Sequence, residues 1–246
     1  MSGKQRGPAP EDAVGFADDR LPALRMAVDE LSWLLGRGYS ERSALALVGD
    51  RHALTARQRK AVSRCAAPAA AVASRRARCV APVELAGQIV HVDGLNAIIV
   101  GESVWSGGVV LRGRDGAHRD LASVHGTYAH VEATTVVIDA LAELLAPARE
   151  VVWLLDRPVS NSGRLAGRLR ERAEAAGLPW QVELVWDPDR VLLASEAIVA
   201  TGDARILDAS VRWVDLPGAL VEMVERAGAR AWVIDLAGGP VIAQDE

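Results

Sequence analysis

Five short, nearly continuous apolar runs constrain this chain more than any other feature. They are IVHV at 89–92, VVWLL at 151–155, QVELVW at 181–186, AIVAT at 197–201 and AWVIDL at 231–236. Helix-like stretches separate them: VEATTVVIDALAELLA at 131–146, a basic amphipathic stretch at 163–176 closed by Gly177, and PGALVEMVERAG at 217–228. A strand apolar along its whole length needs cover on both faces. Such strands alternating with helices predict an α/β fold built on a central, mostly parallel sheet. Half of the 246 residues are hydrophobic, enough to fill that core. The VVLRG segment and its neighbours predict a hairpin or an insertion.

The front of the chain has helical periodicity only. Leu21, Leu24, Val28, Leu31 and Leu35 form an apolar stripe that ends at Gly36 and Gly38. Ser40 starts a second helix and Thr55 caps a third. The spacing predicts a disordered tail over 1–19, a small helical domain over 20–66, an Ala-rich linker over 67–85 and the α/β domain over 86–246. A helix-turn-helix fits the front part only loosely.

The N-terminus lacks the apolar stretch of a signal peptide, and no apolar run has the length of a membrane span. Cys65 and Cys79 form neither a disulfide framework nor a CxxC pair. The expected location is cytoplasmic. Net charge is −4, but it is divided unevenly. Residues 1–78 carry 14 basic and 8 acidic side chains, whereas 79–246 carry 14 and 24. The stretch 51–78 has eight basic residues, Arg57, Arg59 and Lys60 among them, and no acid. It is read either as a nucleic-acid contact or as solvated helix faces.

The acids stand where an open parallel sheet binds ligands, beyond the carboxyl ends of its strands. IVHVD ends in Asp93, VVWLLD ends in Asp156, and IVATGD delivers Asp203 two residues past a strand. Asp189 follows in the loop WDPD. Like charges gathered this way repel unless a cation neutralises them. Carboxylate oxygens suit Mg²⁺ or Mn²⁺, and such a centre can activate water against a phosphate. Each acid taken singly is equally a loop cap. Asn96 either holds a phosphate or a metal-bound water, or makes a turn contact. Ser160, Asn161, Ser162 and Gly163 either form an anion site at a helix start or cap that helix. Glu102 either joins the acids or faces solvent. Asp115 and Asp120 look like surface loop, and Asp235 ends a strand at a sheet edge. His91, His118, His125 and His130 lack metal-ligand spacing. P-loop, dinucleotide and serine-hydrolase motifs are absent.

VDGLN, DRPVSNSG, DPDRVLLASEAIVATGD and RGYSERSALALVGDRHALTARQR together resemble an uncharacterised prokaryotic family, domain of unknown function 434, over about residues 20–215. The C-terminal part is in turn similar to PIN and NYN-type nuclease domains. That resemblance implies a three-layer α/β/α sandwich binding Mg²⁺ or Mn²⁺. In it Asp93 and Asn96 match a DxxN at the first strand, Asp189 an acid before a helix, and Thr201 and Asp203 a T/S-x-D. Asp156 is the looser match, and Asp139 and Glu143 are not clearly matched. The insertion at about 101–128 departs from the pattern.

The resemblance implies a metal-dependent ribonuclease. Asp93, Asp156 and Asp203 would hold the metal, and Asp189 would complete the acidic pocket. Asn96, Ser160, Ser162, Arg157, Arg164 and Arg168 would meet the substrate, with Arg57, Arg59 and Lys60 in a basic helical substrate-binding unit. The alternative is a non-catalytic RNA-binding or regulatory protein on a degenerate form of the fold. A phosphatase-like or Toprim-like metal enzyme is a third reading, prompted by Asp187 and Asp189. RNA is the expected partner, with a homo-oligomer or a protein partner also open and no membrane involved.

Overall fold

A computed structural model describes residues 7–121 and 133–238. In chain order the elements are α1 (Asp12–Gly15), α2 (Leu21–Gly36), α3 (Glu41–Arg51), α4 (Ala56–Cys65), α5 (Ala69–Arg78), β1 (Cys79–Val80) and a 3₁₀ turn (Pro82–Leu85). Next come β2 (Ile89–Asp93), α6 (Gly94–Trp105), β3 (Val110–Arg112), β4 (His118–Asp120), α7 (Ala133–Leu145), β5 (Glu150–Asp156) and α8 (Ser162–Ala176). The chain continues through β6 (Trp180–Val185), α9 (Pro188–Leu193), β7 (Ile198–Ala200), α10 (Ala204–Ala209), β8 (Arg212–Val214), α11 (Leu216–Arg226) and β9 (Val233–Asp235). No helix among the described residues is long and apolar enough to cross a membrane.

Two compact units emerge, and they are interleaved along the chain. Among the described residues, a sheet unit takes Gly7, 78–108 and 133–231. A helical unit takes 8–77, 109–121 and 232–238.

The sheet unit is mixed α/β. Its six-stranded sheet has the order β1-β8-β7-β2-β5-β6, with every neighbouring pair parallel. From β2 the chain steps outward through β5 to β6. It then returns to the other side of β2 through β7 and β8. The direction of winding therefore reverses between β2 and β7, and the crevice beyond such a reversal is where parallel sheets bind ligands. Alternate residues of β5 feed two cores. Trp153 and Leu155 join Val92, Ile98, Leu141, Leu165 and Leu220, drawn from β2, α6, α7, α8 and α11. Val152 and Leu154 join Leu192, Val199 and Ile206, drawn from α9, β7 and α10. Helices thus cover both faces, as the unbroken apolar runs require. Trp153 is fully buried and meets Trp180 with ring centroids 5.0 Å apart. The close approach of α6 to β5 explains Gly94: a Cβ there would lie 2.6 Å from Leu155 Cδ2 and 3.1 Å from the Leu154 carbonyl oxygen.

The helical unit packs α2, α3 and α4 around Leu24, Val28, Leu31, Val48, Ala61 and Val62. Ser40 caps α3, and Thr55 with Gln58 forms a reciprocal capping box on α4, as the sequence suggests. Three further features depart from the sequence reading. First, α1 lies within the expected tail, with Asp12 and Phe16 buried; residues 1–6 lie outside the described residues. Second, the expected linker 67–85 contains α5, β1 and the 3₁₀ turn. Arg75 of α5 is buried and pairs with Asp115 at 2.8 Å, so this segment is held and not a tether. Third, two pieces of the expected domain 86–246 belong to the helical unit. There β3 pairs with β4 antiparallel and with β9 parallel, giving the order β4-β3-β9. The run 231–236 is thus no strand of the large sheet; its Ile234 and Leu236 enter the helical core. Asp115 and Asp120, read as surface loop, are both buried and paired with arginines.

Candidate carboxylate site

The site begins with the winding reversal. Asp93 is the last residue of β2 and the N-cap of α6, its Oδ1 accepting the Asn96 amide at 3.2 Å. Its Oδ2 accepts the Thr201 hydroxyl at 2.9 Å. Thr201 Oγ1 in turn accepts the Asp203 amide at 3.1 Å, and Asn96 Oδ1 accepts the Gly202 amide at 2.9 Å. Asp203 then caps α10, accepting from Arg205 and Ile206. The DxxN spacing lets one residue cap α6 while the other reaches the next loop. The TxD spacing lets Thr201 bridge Asp93 to the backbone of Asp203. The two weak strings become one hydrogen-bonded clasp across β2 and β7.

Asp156 closes β5, two positions beyond the residue paired with Asp93. Asp189 sits exposed in the first turn of α9, whose N-cap is Asp187. These acids sense one another. Burial raises the Asp93 carboxyl to about 7, partly offset by its bonds to Asn96 and Thr201, and the charges of Asp189 and Asp156 raise it further. Asp156 is raised by burial, then by Asp189 and Asp187. Asp189 is raised by burial, then by Asp203 and Asp187, against a lowering from Arg205. All four expected acids therefore belong to one electrostatic group joined through Asp189.

Among the described residues no three His, Cys, Asp or Glu side chains already form a closed metal-holding group. The donor set still fits a hard cation. It is all oxygen, mutually repelling and partly desolvated. Mg²⁺ commonly takes one or two carboxylates and completes its shell with water or phosphate oxygens. Each Asp93 oxygen accepts one hydrogen bond from the residues named above, and a carboxylate oxygen has two lone pairs.

The remaining candidates are placed as follows. Arg157 is exposed, just past β5, with its guanidinium 5.6 Å from the Trp186 ring centroid. Ser160 and Arg164 are exposed at the entry to α8, and Arg168 donates to Thr135. Ser162 is buried, and its hydroxyl has no hydrogen-bond partner. Neither serine caps α8, because the N-cap is Asn161, in a left-handed conformation with no side-chain cap bond. Glu102 is buried and accepts from Thr134. Arg57, Arg59 and Lys60 lie in α4 of the helical unit and are engaged there. Arg57 pairs with Asp12, Arg59 with Asp50, and Lys60 donates to the Leu121 carbonyl. Burial lowers the Lys60 pKa. The basic run is thus neither a bare phosphate-binding face nor merely solvated. His91, two residues before Asp93, bonds Ser195 Oγ at 2.8 Å, and burial lowers its pKa. His125 and His130 lie outside the described residues. Sequence reasoning missed Trp186, although an aromatic residue directly before DPD at a strand end was a signal.

Residues 23–78 match the family described as "Protein of unknown function (DUF434)". The expected resemblance to that family therefore holds for the front of the chain and does not extend to residue 215. An uncharacterized protein of the archaeon Methanocaldococcus jannaschii is 27% identical over 207 residues, covering 83% of this chain and 99% of the relative. No solved structure matches the chain. Residues 82–219, more than half of the chain and the part that carries every acid of the site, match a second family, and the protein belongs to it: "Domain of unknown function (DUF5616)".

Proposed function

We propose that the sheet unit is a PIN-like, metal-dependent ribonuclease, hydrolysing phosphodiester bonds at the crevice between β2 and β7. The carrying observation is the Asp93 carboxyl, half-buried at the end of β2, raised to about 7, and within the electrostatic reach of Asp189 and Asp156. Groups that repel in this way at a ligand-binding crevice are marks of a working site more often than of a structural one.

Asp93, Asp156 and Asp203 would hold Mg²⁺ or Mn²⁺. The cation would lower the pKa of a bound water and neutralise charge developing on the phosphate. The protein's own contribution is positional. Asn96 and Thr201 hold both Asp93 oxygens, so the carboxylate is preorganised without metal. Asp189, in the first turn of α9, lies within electrostatic reach of Asp93 and Asp156. Arg157 and Arg164 offer exposed cations to the backbone phosphates, while Ser160 and Ser162 stand at the start of α8. In the helical unit Arg57, Arg59 and Lys60 would add charge that attracts RNA even while engaged internally.

A second reading, a non-catalytic RNA-binding or regulatory protein on the same fold, draws on one observation: both Asp93 oxygens already accept protein hydrogen bonds. One titration separates the two. Calorimetry with Mn²⁺ on wild type, Asp93→Asn and Asp203→Asn, alongside cleavage of single-stranded RNA, is expected to show metal binding and cleavage in wild type alone. Metal binding without cleavage favours the binding protein. No heat at millimolar Mn²⁺ rejects the metal site.

A further inference from the structure

Trp186 is the first residue past β6 and is 72% exposed. It is the most exposed tryptophan of the sheet unit: Trp153 and Trp213 are 0% and 1% exposed, Trp180 is half-buried and Trp105 is 36% exposed. The position of Trp186 is set by the ladder beside it. Val185 faces Asp156 in the β5–β6 pairing, and the Arg157 amide donates to the Val185 carbonyl at 2.7 Å. The same strand ends carry acids: Asp156 precedes Arg157 in the chain, and Asp187 follows Trp186. The Arg157 guanidinium lies 5.6 Å from its ring centroid.

A similar arginine–tryptophan contact occurs on α2, between Arg37 and Trp33 at 4.1 Å. That pair is four residues apart, and helical spacing alone explains it. Arg157 and Trp186 are 29 positions apart, on different strand ends. Their meeting follows from the β5–β6 register, which also delivers Asp156.

We infer that Trp186 is a base-stacking platform for single-stranded nucleic acid, with Arg157 taking the adjoining phosphate, so that a neighbouring phosphodiester reaches the carboxylates. This rests on the reading of those carboxylates as a phosphodiesterase site. An exposed aromatic face beside a cation is how proteins hold unpaired bases, independent of their sequence. A duplex keeps its bases stacked on one another and offers no free face to the indole. A neutral sugar would stack on it too, but would give Arg157 no phosphate to bind. The ligand that satisfies ring and guanidinium together is a nucleotide within an open strand.

The test uses the full-length protein and two fluorescein-labelled strands of about a dozen units, oligoadenylate and an abasic ribose-phosphate strand, read by anisotropy in calcium. Stacking of one base is worth about tenfold in affinity. Trp186→Ala is expected to weaken oligoadenylate binding by about that factor and to leave the abasic strand unchanged. Trp186→Phe recovers most of the loss, Trp33→Ala changes neither strand, and Arg157→Ala weakens both. The inference is overturned by a Trp186→Ala variant that binds oligoadenylate like wild type, by equal losses on both strands, or by a wild type that binds neither. Mn²⁺ calorimetry on the same proteins keeps the two ideas apart. Unaltered metal binding with no effect of Trp186→Ala sinks the platform and leaves the metal site standing, whereas a wild type that binds no metal sinks the site itself.

Discussion

Thr201 Oγ1 donates to Asp93 Oδ2 at 2.9 Å across 108 positions of sequence, joining the loop after β7 to the end of β2. The same oxygen accepts the Asp203 amide, so one hydroxyl sets the positions of two acids.

Thr201→Val keeps the shape and removes both bonds. It leaves the Asp203 amide and an Asp93 oxygen without these partners in a mostly buried setting. The expected cost is about 1–3 kcal/mol of stability, measured by urea unfolding. The Thr201 bond lowers the Asp93 pKa, so the variant's carboxyl should titrate higher than wild type. A ¹³C NMR titration that finds it unmoved would remove Thr201 from the site.

Asp93 also makes stability depend on pH in a defined direction. Its carboxyl is near 3.8 when unperturbed and about 7 in the fold. Between those values the folded chain binds the extra proton, so stability falls as pH rises from about 4 to about 7 and then levels. Wild type should lose about 2.5 kcal/mol between pH 5 and pH 8 from this group. Asp93→Asn cannot ionise and should lose that slope, becoming the more stable protein at pH 8. Mn²⁺ should restore wild-type stability at pH 8 and do little for the variant. Parallel unfolding curves for the two proteins at both pH values would refute the assignment.

Arg57→Ala tests what the basic run does. Asp12 is fully buried and takes both Arg57 contacts, Nη2 to Oδ2 at 2.7 Å being one of them. Removing the guanidinium strands a buried carboxylate, with an expected loss of about 3 kcal/mol in the thermal or urea transition. Double replacement with Asp12→Ala should recover much of it. A phosphate-binding role alone would leave the melting curve in place and change only the salt dependence of RNA binding.

Gly94→Ala tests the seat of α6. The added Cβ would meet Leu155 Cδ2 at 2.6 Å and the Leu154 carbonyl oxygen at 3.1 Å. The leucine tip can turn, but the carbonyl belongs to β5, which is paired on both sides. The expected cost is about 1–3 kcal/mol, with a loss of Mn²⁺ affinity because Asp93 precedes this residue. Unchanged stability would show that α6 slides freely on the sheet.

Much of the sheet unit was legible because its signals are local. VVWLL reads as a buried strand and QVELVW and AIVAT as strands, and Gly177, left-handed at φ 60°, marks the end of α8 as expected. What escaped is what periodicity does not encode. β1 is 2 residues long and β8, RWV, is 3 and opens on a charge, so neither lies in an apolar run as the equally short β7 does. AWVIDL reads as a strand correctly, but nothing in the run states which sheet it joins. Arg75 and Asp115 each look like surface residues until both are seen in one ion pair. The strand-end acids were legible as positions. The clasp that ties Asp93, Asn96, Thr201 and Asp203 was not, since hydrogen bonds over a hundred residues apart leave no mark in spacing.

The pairing of β3 with β9 carries a consequence for how the chain is made. The helical unit opens near residue 8, yet the strand beside β3 lies at 233–235. A ribosome must therefore release the chain past residue 235 before the helical unit can close, while every strand of the large sheet has by then emerged. Synthesis favours the sheet unit finishing first, and a message truncated after residue 231 would yield a protein with β3 left as an open edge and Ile234 and Leu236 missing from the helical core.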